Sequence, residues 1–316
     1  MRRLALQIGA LCLIAGLSAC GVQRAGAENA CVADLTALSD RDGLVWVAGG
    51  QVTIGENPGH AEERPNYVAE VEGFWIDRHE VTNAQFAAFV EATGYVTEAE
   101  RQPPEKGGPG SAVFENSGWS YRSGASWRHP YGLGSNIEGL EDHPVVHVSF
   151  ADATAYARWA GRTLPTEVQY EYAARLGRAS AFATGAEGRA RYRANTWQGV
   201  FPFRNSGEDG FITTSPVGCF GANELGLTDI LGNVWEWTLT PYYPTHRPSS
   251  DMLQRFPNGY SPGDPGAGAR VIKGGSYLCA DNFCARYTPS ARQPQEVDLG
   301  ASHIGFRTVL NAPGPE

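Results

Sequence analysis

Lysine is almost missing from this chain: Lys106 and Lys273 are the two examples in 316 residues, and methionine also occurs twice. Arginine and lysine together (25) fall short of aspartate and glutamate (34), for a formal net charge of −9, and no basic run or patch stands out. That excludes the electrostatic footprint of a nucleic-acid binder. Long charge runs are absent too, and charged residues make up only 19 % of the chain, which excludes wholesale disorder. No repeat or low-complexity tract appears, so collagen, coiled coil and repeat arrays are excluded. There is no G-x-S-x-G elbow, no P-loop and no G-x-G-x-x-G turn. The largely apolar run from Leu4 to Leu17 is too short to span a bilayer as a helix. What is abundant is glycine (39) and tryptophan (8), with 42 % apolar residues overall. This combination predicts a loop-heavy fold packed around large rings.

The N-terminus reads as an address. Met1-Arg2-Arg3, the apolar run and Leu17-Ser18-Ala19-Cys20 follow the order of a secretory signal. The Cys after Leu-Ser-Ala looks like a bacterial lipobox, which makes residues 1–19 a lipoprotein signal peptide and Cys20 the lipidated, membrane-anchoring residue. The alternative is cleavage after Ala25-Gly26-Ala27, giving a freely exported protein. Loss of Arg2 and Arg3 takes the net charge from −9 to −11. Residues 20–42 read as a tether and residues 43–313 as a single domain. The expected location is the bacterial envelope, periplasm-facing. Of six cysteines, Cys12 lies in the signal and Cys20 is accounted for. Cys31 and Cys219 have no local metal-ligand spacing, and a disulfide between them is the economical reading in an oxidising compartment.

Strands are predicted at Leu44–Val47, Val68–Ile76, Pro144–Phe150, Arg270–Lys273 and Ile304–Leu310, each bounded by Gly, Pro or Asp. Thr82 with Gln85 and Thr166 with Gln169 predict capped helix starts, and Ser149 with Asp152 predicts a third. Phe86, Phe89 and Val90 share one helical face, as do Ala153, Tyr156, Ala157 and Ala160. Gly94, Gly161 and Gly177 stand where helix ends favour a left-handed residue. Between Gly177 and Arg270 almost nothing is periodic. Two acid-and-amide clusters lie there, Asn195 with Asp209 and Asp229 with its neighbours. Oxygen-rich groups of this kind suit Ca2+, although ordinary turns use the same residues.

Cys279 and Cys284 stand five apart, a spacing that fits one face of neither strand nor helix. They meet only if Ala280-Asp281-Asn282 turns, and Asp-Asn is good turn material. Converging thiols there can be a disulfide or a bis-thiolate site for a soft ion such as Cu(I). No third Cys or His adjoins them, which excludes a four-ligand zinc site. His143 and His147 read as core or surface residues. Glu62-Glu63 and Glu141-Asp142 read as solvated surface.

Several segments together resemble the formylglycine-generating enzyme (sulfatase-modifying factor) family. They are Phe74-Trp-Ile-Asp-Arg-His-Glu-Val-Thr-Asn83, Trp127-Arg-His-Pro130, His143-Pro-Val-Val-His-Val-Ser149 and Trp159-Ala-Gly-Arg-Thr-Leu-Pro-Thr-Glu167. Asn195-Thr-Trp-Gln-Gly199, Gly207-Glu-Asp-Gly-Phe211 and Gly232-Asn-Val-Trp-Glu-Trp-Thr238 continue the pattern, and Lys273–Tyr287 and His303-Ile-Gly-Phe-Arg307 complete it. The resemblance implies an irregular α+β fold, related to C-type lectins and poor in regular structure. It implies an O2-using oxidase that turns the Cys of a Cys-x-Pro-x-Arg motif, in an unfolded sulfatase segment, into formylglycine. It further implies Cys279 and Cys284 as Cu(I) ligands, Ser276 and Trp235 lining the pocket, and Arg286 as an active-site arginine. It maps one structural Ca2+ to Asn195, Thr196, Asp209 and Phe211, and a second to Glu80, Asp229, Ile230, Gly232 and Val234. The expected state is a monomer with no nucleic-acid partner. Ala280, Phe283, Thr288 and His303 replace the His, Tyr, Arg and Asn of better-known members and bear on substrate choice. A non-catalytic envelope binding module, or an oxidase of another thiol, are the alternatives.

Overall fold

A computed structural model of the protein describes residue 31 and residues 43–103, 107–181 and 191–315. The expected signal peptide, Lys106 and, apart from Cys31, the tether lie outside these residues. Regular structure is sparse and set into long loops, as the glycine and tryptophan content predicts. A three-stranded sheet has the order β1 (Leu44–Val47), β4 (Phe74–Asp77), β11 (Val309–Leu310). A four-stranded sheet has the order β10 (Ile304–Gly305), β7 (Trp235–Pro241), β8 (Ala269–Lys273), β9 (Arg292–Glu296). Two hairpins, β2 (Gly50–Ile54) with β3 (Tyr67–Val71) and β5 (Gly110–Glu115) with β6 (Gly118–Ser123), stand apart. Pro294 sits in β9, an edge strand, where a missing N–H is tolerated.

All three capped helix starts form as read, and each is a capping box. Thr82 starts α1 (Asn83–Thr93), Ser149 starts α3 (Phe150–Trp159) and Thr166 starts α4 (Glu167–Leu176). Two shorter helices, α2 (Glu98–Arg101) and α5 (Ser250–Arg255), escaped the sequence reading. Gly94 and Gly161 adopt left-handed φ values of 67° and 70°. Gly177 does not: its φ is −78° and Arg178 takes the left-handed place at 50°. Glycine is needed at 177 for room, because a Cβ there would lie 2.1 Å from Asn223 Nδ2.

Three strand expectations are corrected. Val68–Ile76 is two strands, β3 and β4, belonging to different sheets and broken at Glu72-Gly73, where Gly73 passes the Trp46 ring. Residues 144–149 are a loop with one bridge from Pro144 to Thr82; His147 turns left-handed (φ 61°), Ser149 becomes a helix cap and Phe150 opens α3. Ile304–Leu310 splits into β10 and β11. Between them Arg307 is fully buried, its guanidinium paired with Glu236, as the chain crosses from one sheet to the other.

One core cluster gathers Trp127, Trp235, Trp237, Phe86 and Phe306, and Cys279 belongs to it. A second forms around Phe74, Ile76, Tyr170 and Leu231. Cys31 and Cys219 form a disulfide across 188 residues. Among the described residues no helix is long and apolar enough to cross a membrane.

Candidate active site

Strand β8 delivers the site. Its last residue, Lys273, is fully buried against Glu171 at 3.0 Å, which fixes where the strand ends. Gly274-Gly275 then turns the chain. Gly275 has φ 83°, and a Cβ on it would lie 2.4 Å from the Arg286 carbonyl, so the outgoing and returning strands of the loop pass in direct contact. Ser276, fully buried, accepts the Cys279 N–H on its carbonyl at 2.9 Å.

The turn required by the five-residue spacing forms at Asp281-Asn282. Ala280 and Phe283 exchange backbone hydrogen bonds of 2.9 and 3.0 Å around it. Cys284 and Ala285 follow with φ values of 73° and 46°. Two consecutive non-glycine residues in this region carry a real conformational cost. Their effect is to aim the second thiol back at the first: the sulfurs lie 2.9 Å apart and both are free thiols. The pair is not joined in a disulfide here.

The thiols differ electrostatically. Cys279 is 1 % exposed, and burial together with the neighbouring thiol pushes its pKa well up. Cys284 is half-buried and pushed down to about 7: the Cys279 hydrogen bond leads, against desolvation, with help from the Arg286 backbone N–H and guanidinium. Of the two, Cys284 is the thiol that gives up its proton more readily.

Other chain segments grip the loop. Trp197 donates its backbone N–H to the Cys279 carbonyl at 3.0 Å. Asn282 exchanges two hydrogen bonds with the Phe201 backbone, both 3.1 Å. Phe283, half exposed, stacks on Phe201 with ring centres 4.2 Å apart. A turn at Ala61–Glu63 approaches from the other side. His60 donates a ring N–H to the Cys284 carbonyl at 3.1 Å, and Glu62 pairs with Arg286. Glu63 is fully buried, receiving the Gly59 N–H. The Glu62-Glu63 pair is thus not the solvated surface its sequence suggests; Glu141 and Asp142 are exposed as read.

Cys279, Cys284, Ser276 and Arg286 are therefore brought into one loop. Trp235 shares the buried cluster with Cys279 and donates its N–H to the His303 carbonyl, while the His303 ring packs 4.7 Å from Trp119. Ala280 is buried; Thr288 is exposed and within 3.4 Å of Ser290. His143 and His147 bond Thr214 and the Pro130 carbonyl and are held neutral by burial, in keeping with packing roles.

The two acid-and-amide clusters lie in one buried polar layer. Asp209 receives the Thr196 and Phe211 backbone N–H groups at 3.1 and 3.0 Å. Asn195 donates to Thr213 and Asn233, leaving its buried carbonyl oxygen without a hydrogen-bond partner. Glu80 and Asp229 are buried around the loop holding Ile230, Gly232 and Val234, and Glu80 Oε2 and Asp229 Oδ1 have no hydrogen-bond partner. Burial, Asp229 and Glu236 raise the Glu80 pKa well above its usual value. Asn233 joins the clusters, donating to Glu80 and accepting from Asn195, a role its sequence position did not announce. Among the described residues no group of three or more His, Cys, Asp and Glu is arranged to hold a metal. Any hard cation here must draw on amide and backbone oxygens as well.

Comparison with known proteins places this arrangement. The sulfatase-modifying factor enzyme 1-like domain pattern matches residues 32–312. The formylglycine-generating enzyme of Mycobacterium tuberculosis is 46 % identical over 293 residues, covering 85 % of this chain and 97 % of that protein. The mouse protein named inactive C-alpha-formylglycine-generating enzyme 2 is 35 % identical, covering 86 % and 87 %. PvdO from Pseudomonas aeruginosa shares the fold, with a TM-score of 0.57 at 23 % identity over 84 % of this chain and 93 % of that one. With one family pattern running through both cores, both carboxylate clusters and the thiol loop, the chain belongs to the sulfatase-modifying factor enzyme 1-like family.

Proposed function

We propose that this protein oxidises a cysteine of a sulfatase to formylglycine, in a Cys-x-Pro-x-Arg segment presented unfolded. The observation that carries the reading is the pair of convergent free thiols, sulfurs 2.9 Å apart, Cys279 buried and Cys284 half-buried beside Arg286. Family membership is not enough by itself, since a relative named as inactive matches almost as much of the chain. Converting a thiol to an aldehyde, with release of hydrogen sulfide, removes two electrons from the substrate. O2 accepts four on reduction to water, so a thiol reductant must supply the other two.

The donor set fits Cu(I): two convergent sulfurs, one of them with its pKa lowered, and the half-buried Cys284 side left for a substrate thiolate. Bound Cu(I) would supply O2 activation. Arg286 holds the Cys284 thiolate in place, Ser276 fixes the Cys279 turn, and Trp235 walls the buried side. For the second metal, the unpartnered oxygens of Asn195, Glu80 and Asp229 fit structural Ca2+. Export as an envelope lipoprotein anchored at Cys20, acting as a monomer, completes the proposal; the Cys31–Cys219 disulfide supports the oxidising compartment.

The test is a Cu(I) competition titration of residues 20–316, paired with mass spectrometry of a Cys-x-Pro-x-Arg peptide under air with a thiol reductant. One tight site, lost in Cys279→Ser, and the thiol-to-aldehyde mass change are expected. Copper bound with the peptide untouched would refute the substrate, and no tight site would refute the metal.

A further inference from the structure

The thiol loop is strained at its second sulfur, and two of the groups that brace it, His60 and Glu62, come from a segment 224 residues earlier in the chain. Resting on the copper-thiolate reading above, we propose that His60 is a positioning residue of the site: its ring N–H, donated to the Cys284 carbonyl, helps hold the Cys284 sulfur at hydrogen-bonding distance from Cys279.

The left-handed conformation at Cys284 and Ala285 turns the peptide between them so that the Cys284 carbonyl points away from the Ala280–Phe283 hairpin. In that orientation the carbonyl meets the His60 ring at 3.1 Å. If the peptide relaxed to an ordinary conformation, the carbonyl would swing off this donor and Cys284 Sγ would swing off Cys279. A hydrogen bond contributes about 1 kcal/mol net, comparable to the roughly 1–3 kcal/mol cost of one such residue. The N–H of the same peptide, on Ala285, is held by the Ala280 and Phe283 carbonyls at 3.2 and 2.9 Å, and the His60 donor adds to these bonds in offsetting the cost of two such residues.

His60 is itself held. Its turn is braced on Arg286 by Glu62, and the Glu62 carbonyl accepts from Arg292 at 3.0 Å. Arg292 is buried in a two-pronged pair with Glu167 at the start of α4. The turn is thus tied to the core rather than lying loosely on the surface. His60 touches neither sulfur, so it acts through the backbone alone.

The experiment compares the parent with His60→Ala and His60→Gln, the latter keeping a side-chain N–H donor. Three readouts are taken: Cu(I) affinity by competition, the rate of Cys279–Cys284 disulfide formation with diamide in metal-free protein, and kcat and KM for the peptide. His60→Ala should weaken Cu(I) binding by about 10-fold or more, the usual effect of removing a group that orients a ligand. It should slow disulfide formation several-fold and lower kcat with little change in KM. His60→Gln should restore most of each loss. His60→Ala within twofold of the parent in affinity and disulfide rate would overturn the inference, and so would equal losses in Ala and Gln. If the parent binds no Cu(I), the copper reading fails by itself, and the diamide rates, which need no metal, still decide the positioning role.

Discussion

At the residue scale the informative contrast is between two cysteines of one loop. They share a hydrogen bond but not an environment. Cys279 belongs to an aromatic core and Cys284 faces partly outward beside Arg286. The buried thiol keeps the proton and, by donating it, stabilises the thiolate of its partner. This gives a sharp expectation for the metal-free protein. Iodoacetamide should modify Cys284 first, with a rate that titrates near the value of about 7 to which the pair holds it, and should spare Cys279 until unfolding. Replacing Cys279 by Ala removes the leading cause of that low value and leaves only Arg286. The titration of Cys284 should then move up toward an ordinary thiol. Alkylation rates followed over pH, with the modified site located by mass spectrometry, read this directly. A Cys279→Ala variant whose Cys284 titrates no higher than in the parent would show that Arg286, not the thiol hydrogen bond, sets the charge.

At the scale of elements, buried ion pairs fix how helix and sheet meet. Glu167 opens α4 and takes the Arg292 guanidinium from β9 on both oxygens, at 2.7 and 3.0 Å, with Lys273 of β8 nearby. Burial alone would raise its pKa, but Arg292, His246 and Lys273 outweigh burial and hold it far below the ordinary carboxylate range. A depressed carboxyl lends stability above its unfolded value of 4.5, and that stability drains away as the pH falls from there toward the folded value. Glu167→Gln leaves the buried Arg292 guanidinium without its carboxylate, while Lys273 keeps Glu171 at 3.0 Å, and should cost about 3–5 kcal/mol at neutral pH. The deficit should shrink in acid, as the parent loses the same charge. Urea midpoints at neutral and acidic pH test this, and a deficit unchanged by pH would mean the loss is one of packing. The element scale also shows what sequence can and cannot disclose. The helix starts at Thr82, Ser149 and Thr166 were legible because a capping box is complete within four residues. Strand β7 was missed because its first four residues are all buried, which erases the alternation that marks a half-exposed strand. The break between β3 and β4 depends on Trp46, a partner from another strand. In the site, the sulfurs, Ser276, Trp235 and Arg286 were legible through a family motif. His60 and Glu62 were not, since nothing local distinguishes an acid pair on a turn from one that braces a distant arginine.

At the scale of the whole molecule, the question is what holds a fold with so little ladder. Between Leu176 and Trp235 the described residues contain no α-helix or β-strand. Their polar backbone is instead tied down by Asp209, Asn195, Asn223 and Asn233. Beneath this layer Glu80, Asp229 and Glu236 are all buried, and Arg307 is the guanidinium that counters them. Three carboxylates against one cation is an unfavourable balance in a dry interior, and the metal-free chain answers it by raising the Glu80 and Asp229 pKa values. The folded metal-free state then holds protons that the unfolded state has already released. Its stability should fall as pH rises from the carboxylate range through those raised values. Ca2+ bound to the same oxygens would replace the protons and remove that loss. Melting of chelator-treated protein, with and without added Ca2+, should therefore show a gap that widens as pH increases. At calcium about 100-fold above its Kd the gain is about 2.7 kcal/mol, or roughly 5–10 °C in Tm. Glu80→Gln should do the opposite of an ordinary buried-charge deletion: it should raise the melting temperature of the metal-free protein and abolish the calcium response. Chelated and calcium-replete melts that coincide at every pH would place the stabilisation of this layer in its hydrogen bonds alone.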